Sequence, residues 1–398
     1  MRSRLLFIPI LLIPVLWPDR AGAQDTIPGE QVLREKRDTA IYYEQIAASW
    51  EKKSDWENTL RHYLRALAEY SRQESRIDEA RILNAIARGY TSREVYKKAA
   101  LYHELEFSMH HETGFAERAS AAEKAGDSYF LLGLDSLAAE WYLKARDYHE
   151  KAEDREGMLR CRNRLGILFT NLGDYDKAAA EYGSCLDHFK AINDRKRIAA
   201  TYNQIGFLLF RKKDVPGALE YFNRAIQYCE SYGSSDHLLA DAWSNRAVCM
   251  QNLGNEAEML SSFNKALGYA ESSGRLDEAA RIQRIIASFH FRKGDMHQAE
   301  VFCLECIESA KASESPEQLY LCYRDYSDVL ENGNDFIKAL DYYEKYLNLR
   351  DSLNFENRIA EKQKEDKIAS YEALEQRIKD EIASEEIRDL ELKNLRAE

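Results

Sequence analysis

Between residues 37 and 351 the apolar positions fall three and four apart, the period of helices with one buried face, and polar turns break the runs. The stretch NLGDYDKAAAEYGSCL, residues 171–186, shows the unit: a Gly-Asp turn, then a helix with Ala178 and Tyr182 one turn apart. Slid by about forty residues, the chain returns to the same pattern. A small residue in a first helix recurs at Ala47, Ala87, Gly126, Gly166, Gly206, Ala247, Ala287 and Ser327. Twelve residues after these anchors stand Thr59, Ala99, Ala138, Ala178, Ala218, Met259, Ala299 and Ala339. Sixteen after them stand Tyr63, His103, Tyr142, Tyr182, Phe222, Phe263, Cys303 and Tyr343. The register holds through eight copies, which predicts an all-α solenoid of eight helix-turn-helix repeats.

The small residues imply close helix approach. Gly166 is expected to face Ala178 across its hairpin, with Tyr182 filling the gap toward the next repeat; Gly206, Ala218 and Phe222 repeat the set, and Gly126 opens another. Gly173-Asp174, Gly254-Asn255 and Gly294-Asp295 stop a first helix and cap a second. Pro216 falls in the first turn of a second helix, and Ser315-Pro316 supplies an N-cap and first position.

Leu165-Gly166, Phe169, Gly173-Asp174-Tyr175, Ala178 and Tyr182 together resemble the tetratricopeptide (TPR) repeat. The period is near 40 rather than ~34, as in a long-helix variety, and the proline that usually closes each repeat is mostly missing. The first two copies depart at Thr59 and His103. The resemblance implies a solenoid whose first helices line a concave groove for a protein or peptide.

The ends of the chain differ from the array. Arg2 and Arg4 precede the apolar run from Leu5 to Trp17, and Ala21-Gly22-Ala23 offers a cleavage signature. The run is too short, and too broken by proline, to span a bilayer. A cleaved secretory signal over 1–23 is expected, then a linker over 24–36, with the mature protein periplasmic or secreted and without a membrane span. Removing three arginines and one aspartate takes the net charge from −12 to −14. An acidic surface repels phosphate backbones, so nucleic acid is not an expected partner.

Little here points to catalysis. The seven cysteines are an odd set, no disulfide framework, and Cys185 and Cys306 occupy a position that elsewhere holds alanine. Cys303 and Cys306, three apart on a helix, read as core rather than as a redox pair. His110-His111-Glu112 reads as a polar helix end. No metal, cofactor or catalytic motif is expected. The groove offers more. Its faces fall three before and one or four after each anchor, and three before stand Glu44, Asn84, Glu123, Asn163, Asn203, Ser244, Arg284 and Arg324. Asparagine can donate to and accept from a peptide backbone, and arginine can clamp a carboxylate. Phe207, Val248 and Ile167 would floor the groove. The same stripe also fits side chains that bond to the adjacent repeat or to solvent.

Residues 352–398 are densely charged, with apolar residues at Ile359, Ile368, Tyr371, Leu374, Ile378, Ile382, Leu390, Leu392 and Leu395, while Glu381, Glu385 and Arg388 interrupt a seam. This reads as a long helix or weak coiled coil that adds little to folding of the array and pairs with a second copy or a partner. Tyr346, Leu349, Asp351, Ser352 and Leu353 resemble the junction between TPR array and coiled coil in exported bacterial sensor proteins. A binding scaffold is therefore the first functional expectation, and a sensor module working with a separate membrane kinase or regulator the second.

Overall fold

The computed structural model describes residues 28–110, 114–232 and 236–397. The expected secretory signal lies outside them, as do His111 and Glu112. Among the described residues there are sixteen helices and no strand. They are α1 (Pro28–Lys52), α2 (Trp56–Arg72), α3 (Arg76–Thr91), α4 (Tyr96–Met109), α5 (Phe115–Leu131), α6 (Asp135–Lys151), α7 (Arg155–Leu172) and α8 (Tyr175–Ala191), then α9 (Arg195–Arg211), α10 (Val215–Tyr232), α11 (Asp236–Asn252), α12 (Glu256–Ser272), α13 (Leu276–Arg292), α14 (Met296–Ala312), α15 (Pro316–Asn332) and α16 (Phe336–Ala397). The segment expected as a linker up to residue 36 is helical from Pro28.

Among the described residues, thirteen turns between helices carry one residue with left-handed backbone, mostly about twenty residues apart, from Ser54 to Asn334. Glycine fills this position at Gly133, Gly173, Gly254, Gly274 and Gly294, where it carries no steric penalty. At Gly173 the next amide, Asp174 N, reaches back to Phe169 O over 2.8 Å, and the Asp174 side chain accepts from Lys177 N to open α8. One residue thus closes a helix and caps its successor.

The helices form two compact units. Unit one holds the described residues up to Arg164 together with those from Lys364 onward, and unit two spans Leu165–Gln363. Within each, successive helices pair as hairpins that stack on their neighbours, as a helical solenoid requires. All eight anchors are buried. The aromatic partner has a defined seat. Tyr182 lies over Gly166, so close that a Cβ there would come within 2.5 Å of the ring. Phe222 covers Gly206 and Tyr142 covers Gly126 in the same way. The glycine makes a flat seat for a ring in its own hairpin. Ser327 serves as an anchor because its hydroxyl donates to Ala339 O at 2.8 Å.

Two expectations are corrected. Cys306 is more than a small core residue: it is disulfide-bonded to Cys322 on the following helix, with Cα atoms 6.0 Å apart. The tail is not free either. From Asn354 to Lys367 α16 is exposed on every side, but beyond this it packs into unit one. Ile378 and Ile382 are buried in one cluster with Leu60, Leu64, Ile86, Tyr90 and Tyr102, and Ile368, Tyr371 and Leu374 pack against it. The charges that interrupt a coiled-coil seam have partners on α2: Glu381 pairs with Arg61 and Glu385 with Arg65, while Arg377 meets Glu57 at 2.5 Å. Partners in all three pairs lie 320 residues apart in the chain, one helical turn per step, so α16 runs parallel to α2. The side chains of Leu390, Leu392 and Leu395 lie outside the described ones.

Candidate functional site

The polar ladder is largely spent on joining neighbouring repeats. Asn84 on α3 accepts from Lys124 Nζ on α5 at 3.1 Å, and Asn203 on α9 accepts from Asn245 Nδ2 on α11 at 3.1 Å. Ser244, buried on α11, accepts from Arg281 Nη2 on α13 at 3.1 Å. Glu44 pairs with Arg81 on α3, and Glu123 takes two bonds from Arg160 on α7. Asn163 is half-buried on α7, and Phe207 is exposed on α9. The two partner registers are two and six residues before the next anchor. They explain the stripe's polarity without a ligand.

Arg284 on α13 and Arg324 on α15 are different. They line one cavity of about 640 Å³ in unit two, together with Val248 and Gln251 from α11, and Ser288, Phe291 and Asp328. These last five stand one or four residues after their anchors, the groove register read from the sequence. Arg324 grips one oxygen of Asp325 through Nε (3.0 Å) and Nη2 (2.7 Å). Arg284 Nε is buried, has no hydrogen-bond partner and stops 3.9 Å from Asp325. A guanidinium nitrogen left in this state is an unfilled donor. Arg292 also lines the cavity, against Asp325 and Asp328, so its walls carry one net positive charge. Burial, and then Asp325, raises the Asp328 carboxyl above its ordinary range. Phe263, Ile285 and Phe291 supply apolar wall. Asp325 and Arg292, off the expected register, were not anticipated.

Unit one contains a second polar centre. Glu375, on the docked part of α16, is buried and accepts from Tyr90 Oη at 2.7 Å and Tyr102 Oη at 2.9 Å, with Lys98 Nζ at 3.1 Å and Lys379 Nζ at 2.6 Å. Burial alone would push its carboxyl up. Lys379, the Tyr90 hydroxyl and Lys98 outweigh that and hold it at about 2. Elsewhere in the unit, Glu123, His149 and Cys161 bring metal-capable atoms together from three helices.

A tetratricopeptide-repeat family profile matches residues 197–273, the α9–α12 region. Among solved structures, a signal-transduction ATPase (STAND) with a tetratricopeptide-repeat sensor from Pyrococcus horikoshii is 16% identical, with a TM-score of 0.56 over 76% of this chain and 46% of that one. Aspartyl phosphate phosphatase F from Bacillus subtilis is 15% identical, with a TM-score of 0.51 over 83% of this chain and 96% of the other. The apo quorum sensor NprR from B. thuringiensis is 15% identical, with a TM-score of 0.50 over 81% and 99%. At such identities the likeness concerns the fold. With the in-phase register, the stacked hairpins and the matching profile, the chain is a tetratricopeptide-repeat protein.

Proposed function

We propose that this protein is an exported, non-catalytic scaffold that holds a peptide or protein segment by a carboxylate in the cavity of unit two. The observation that carries this reading is the pair Arg284 and Arg324 at its wall, one with a buried donor unfilled, above an apolar surface of Phe263, Ile285 and Phe291. A free C-terminus on an apolar residue matches both features. The quorum sensor NprR and the STAND sensor use the same fold. Export is supported by the leader-like residues 1–23 and by the Cys306–Cys322 bond, because disulfides persist in oxidising compartments.

A synthetic library of short peptides, each made with a free and an amidated C-terminus, tests the cavity by fluorescence anisotropy. Free carboxylates ending in an apolar residue should bind, amidation should weaken them at least tenfold, and Arg284→Gln with Arg324→Gln should do the same. Binding indifferent to both changes refutes the reading. Export is checked by intact mass of the protein recovered outside the cytoplasm, where Met1 to Ala23 should be missing.

A second reading is a sensor module acting with a separate membrane kinase or regulator. One observation favours it: α16 begins as the last helix of unit two and ends inside unit one, so one continuous helix contributes residues to both. Under this reading peptide binding would change hydrogen exchange in the docked part of α16.

A further inference from the structure

Repeats one and three contain the same polar clasp built from different donors. In repeat one, Glu44 on α1 accepts from Tyr70 Oη near the end of α2 at 2.9 Å and pairs with Arg81 on α3. In repeat three, Glu123 on α5 meets His149 Nε2 near the end of α6 at 3.0 Å, and Arg160 on α7 through Nε at 3.0 Å and Nη2 at 3.1 Å. The registers are identical: three before the anchor, twenty-three after it, and six before the next anchor. The copies diverge in what surrounds the glutamate. Tyr70 becomes His149, and Ile82, five before the next anchor, becomes Cys161. A clasp needs neither change. Both replace groups outside the usual ligand set of zinc with groups inside it.

The imidazole is also held from behind. Asp154, the residue before α7, accepts from Gly157 N at 3.0 Å through one oxygen, and its other oxygen lies 2.8 Å from His149 Nδ1. A Cβ at Gly157 would stand 2.2 Å from that same nitrogen. A glycine in the first turn of a helix costs about 1 kcal/mol relative to alanine; here its empty side makes room for the ring. The result is a carboxylate within ion-pair distance of a buried imidazole nitrogen that has no aligned hydrogen bond, placed where a turn of the ring would give it the support usually found behind metal-bound histidine.

We propose that Glu123, His149 and Cys161 form a binding site for a borderline-soft divalent cation, zinc fitting the set, with water as fourth ligand. One atom from each lies within 4.8 Å of the others, and oxygen, nitrogen and sulfur together suit zinc rather than magnesium or calcium. Zinc with bonds of about 2.0–2.3 Å separates its tetrahedral ligands by about 3.5 Å, so the trio closes with a contraction of roughly an ångström. Arg160 keeps its Nε bond to Glu123 Oε1 while Oε2 turns to the ion, and as half of its side chain is exposed it gives up the second bond readily. The ring proton ends on Nδ1 toward Asp154, and the thiol proton leaves to solvent.

The test uses the full chain without an affinity tag. Isothermal titration with Zn²⁺ should show one tight equivalent, and Co²⁺ should give the thiolate charge-transfer and tetrahedral d–d absorption bands. His149→Tyr with Cys161→Ile copies the clasp of repeat one, and should keep the parent's circular dichroism while losing that equivalent and both bands. Cys161→Ala, a smaller change at the same position, should abolish the charge-transfer band. A parent chain that takes up no equivalent, or an equivalent and bands unchanged in both variants, overturns the site.

Discussion

Tyr90 donates its phenolic proton to Glu375 across 2.7 Å and 285 residues of chain. The bond ties α3 to α16, and Tyr102 makes a second one from α4. A buried carboxylate is tolerated only when its charge and lone pairs are met. Here two hydroxyls and two lysines meet it, so the tail is specified by chemistry as well as by apolar burial.

Glu375→Ala should therefore loosen the docked helix. It strips Tyr90 and Tyr102 of their acceptor and Lys98 of its partner, a change that costs about 3–5 kcal/mol when a buried pair is broken. Hydrogen exchange across residues 371–385 should accelerate strongly while unit two keeps its protection. Unchanged exchange there would mean that the apolar contacts of Ile378 and Ile382 suffice.

The same carboxyl gives the docking a pH dependence of definite sign. Its folded value, about 2, lies below the ordinary 4.5, so its contribution is fully present above the ordinary value and fades as pH falls toward 2. Protection of residues 371–385 should hold at neutral pH and decline between about pH 4.5 and 2. Glu375→Gln should remove that step. A decline of equal size in the variant would assign it to other carboxylates.

What was legible in the sequence follows from where the information sits. Anchors such as Gly166 and its partner Tyr182 lie sixteen residues apart in one hairpin, so periodicity alone exposed the repeat. Asp174 announced its turn because a cap is a local event. Arg61 and Glu381 gave no such signal: nothing in a single sequence links positions 320 apart, and the tail's charges looked like an obstacle to packing rather than half of an ion-pair row. The Cys306–Cys322 pair lay between these cases. Its spacing of 16 residues equals the offset from one repeat's second helix to the next repeat's first, a register that the alanine-filled copies kept hidden.

That pair predicts a thiol count. Under denaturing conditions without reductant, alkylation should label five cysteines, namely Cys161, Cys185, Cys229, Cys249 and Cys303, and reduction should expose two more. Closing a loop of this length removes denatured-state entropy worth about 3 kcal/mol. Cys322→Ser should accordingly lower the denaturant midpoint of unit two. Seven labelled thiols in exported, unreduced protein would dispose of the bond.

The glycine seats predict an order rather than a single loss. Replacing a helical glycine by alanine gains about 1 kcal/mol of helix propensity, so the sign of each substitution depends on the room available. At Gly126 the added Cβ would meet the Tyr142 ring at 3.2 Å, a few tenths of an ångström tight. At Gly166 it would meet Tyr182 at 2.5 Å, which no packed ring accommodates without moving. Tyr182 is almost completely buried against the hairpin, so displacing it disturbs neighbours on both sides. Overpacking of this kind costs about 1–3 kcal/mol, more than the propensity gain. Gly126→Ala should then be close to neutral, Gly166→Ala destabilising, and Gly166→Leu more so, as read by thermal melting followed with circular dichroism. If Gly166→Ala melted at or above the parent's temperature while Gly126→Ala fell, the rings would not be seated on their glycines as described.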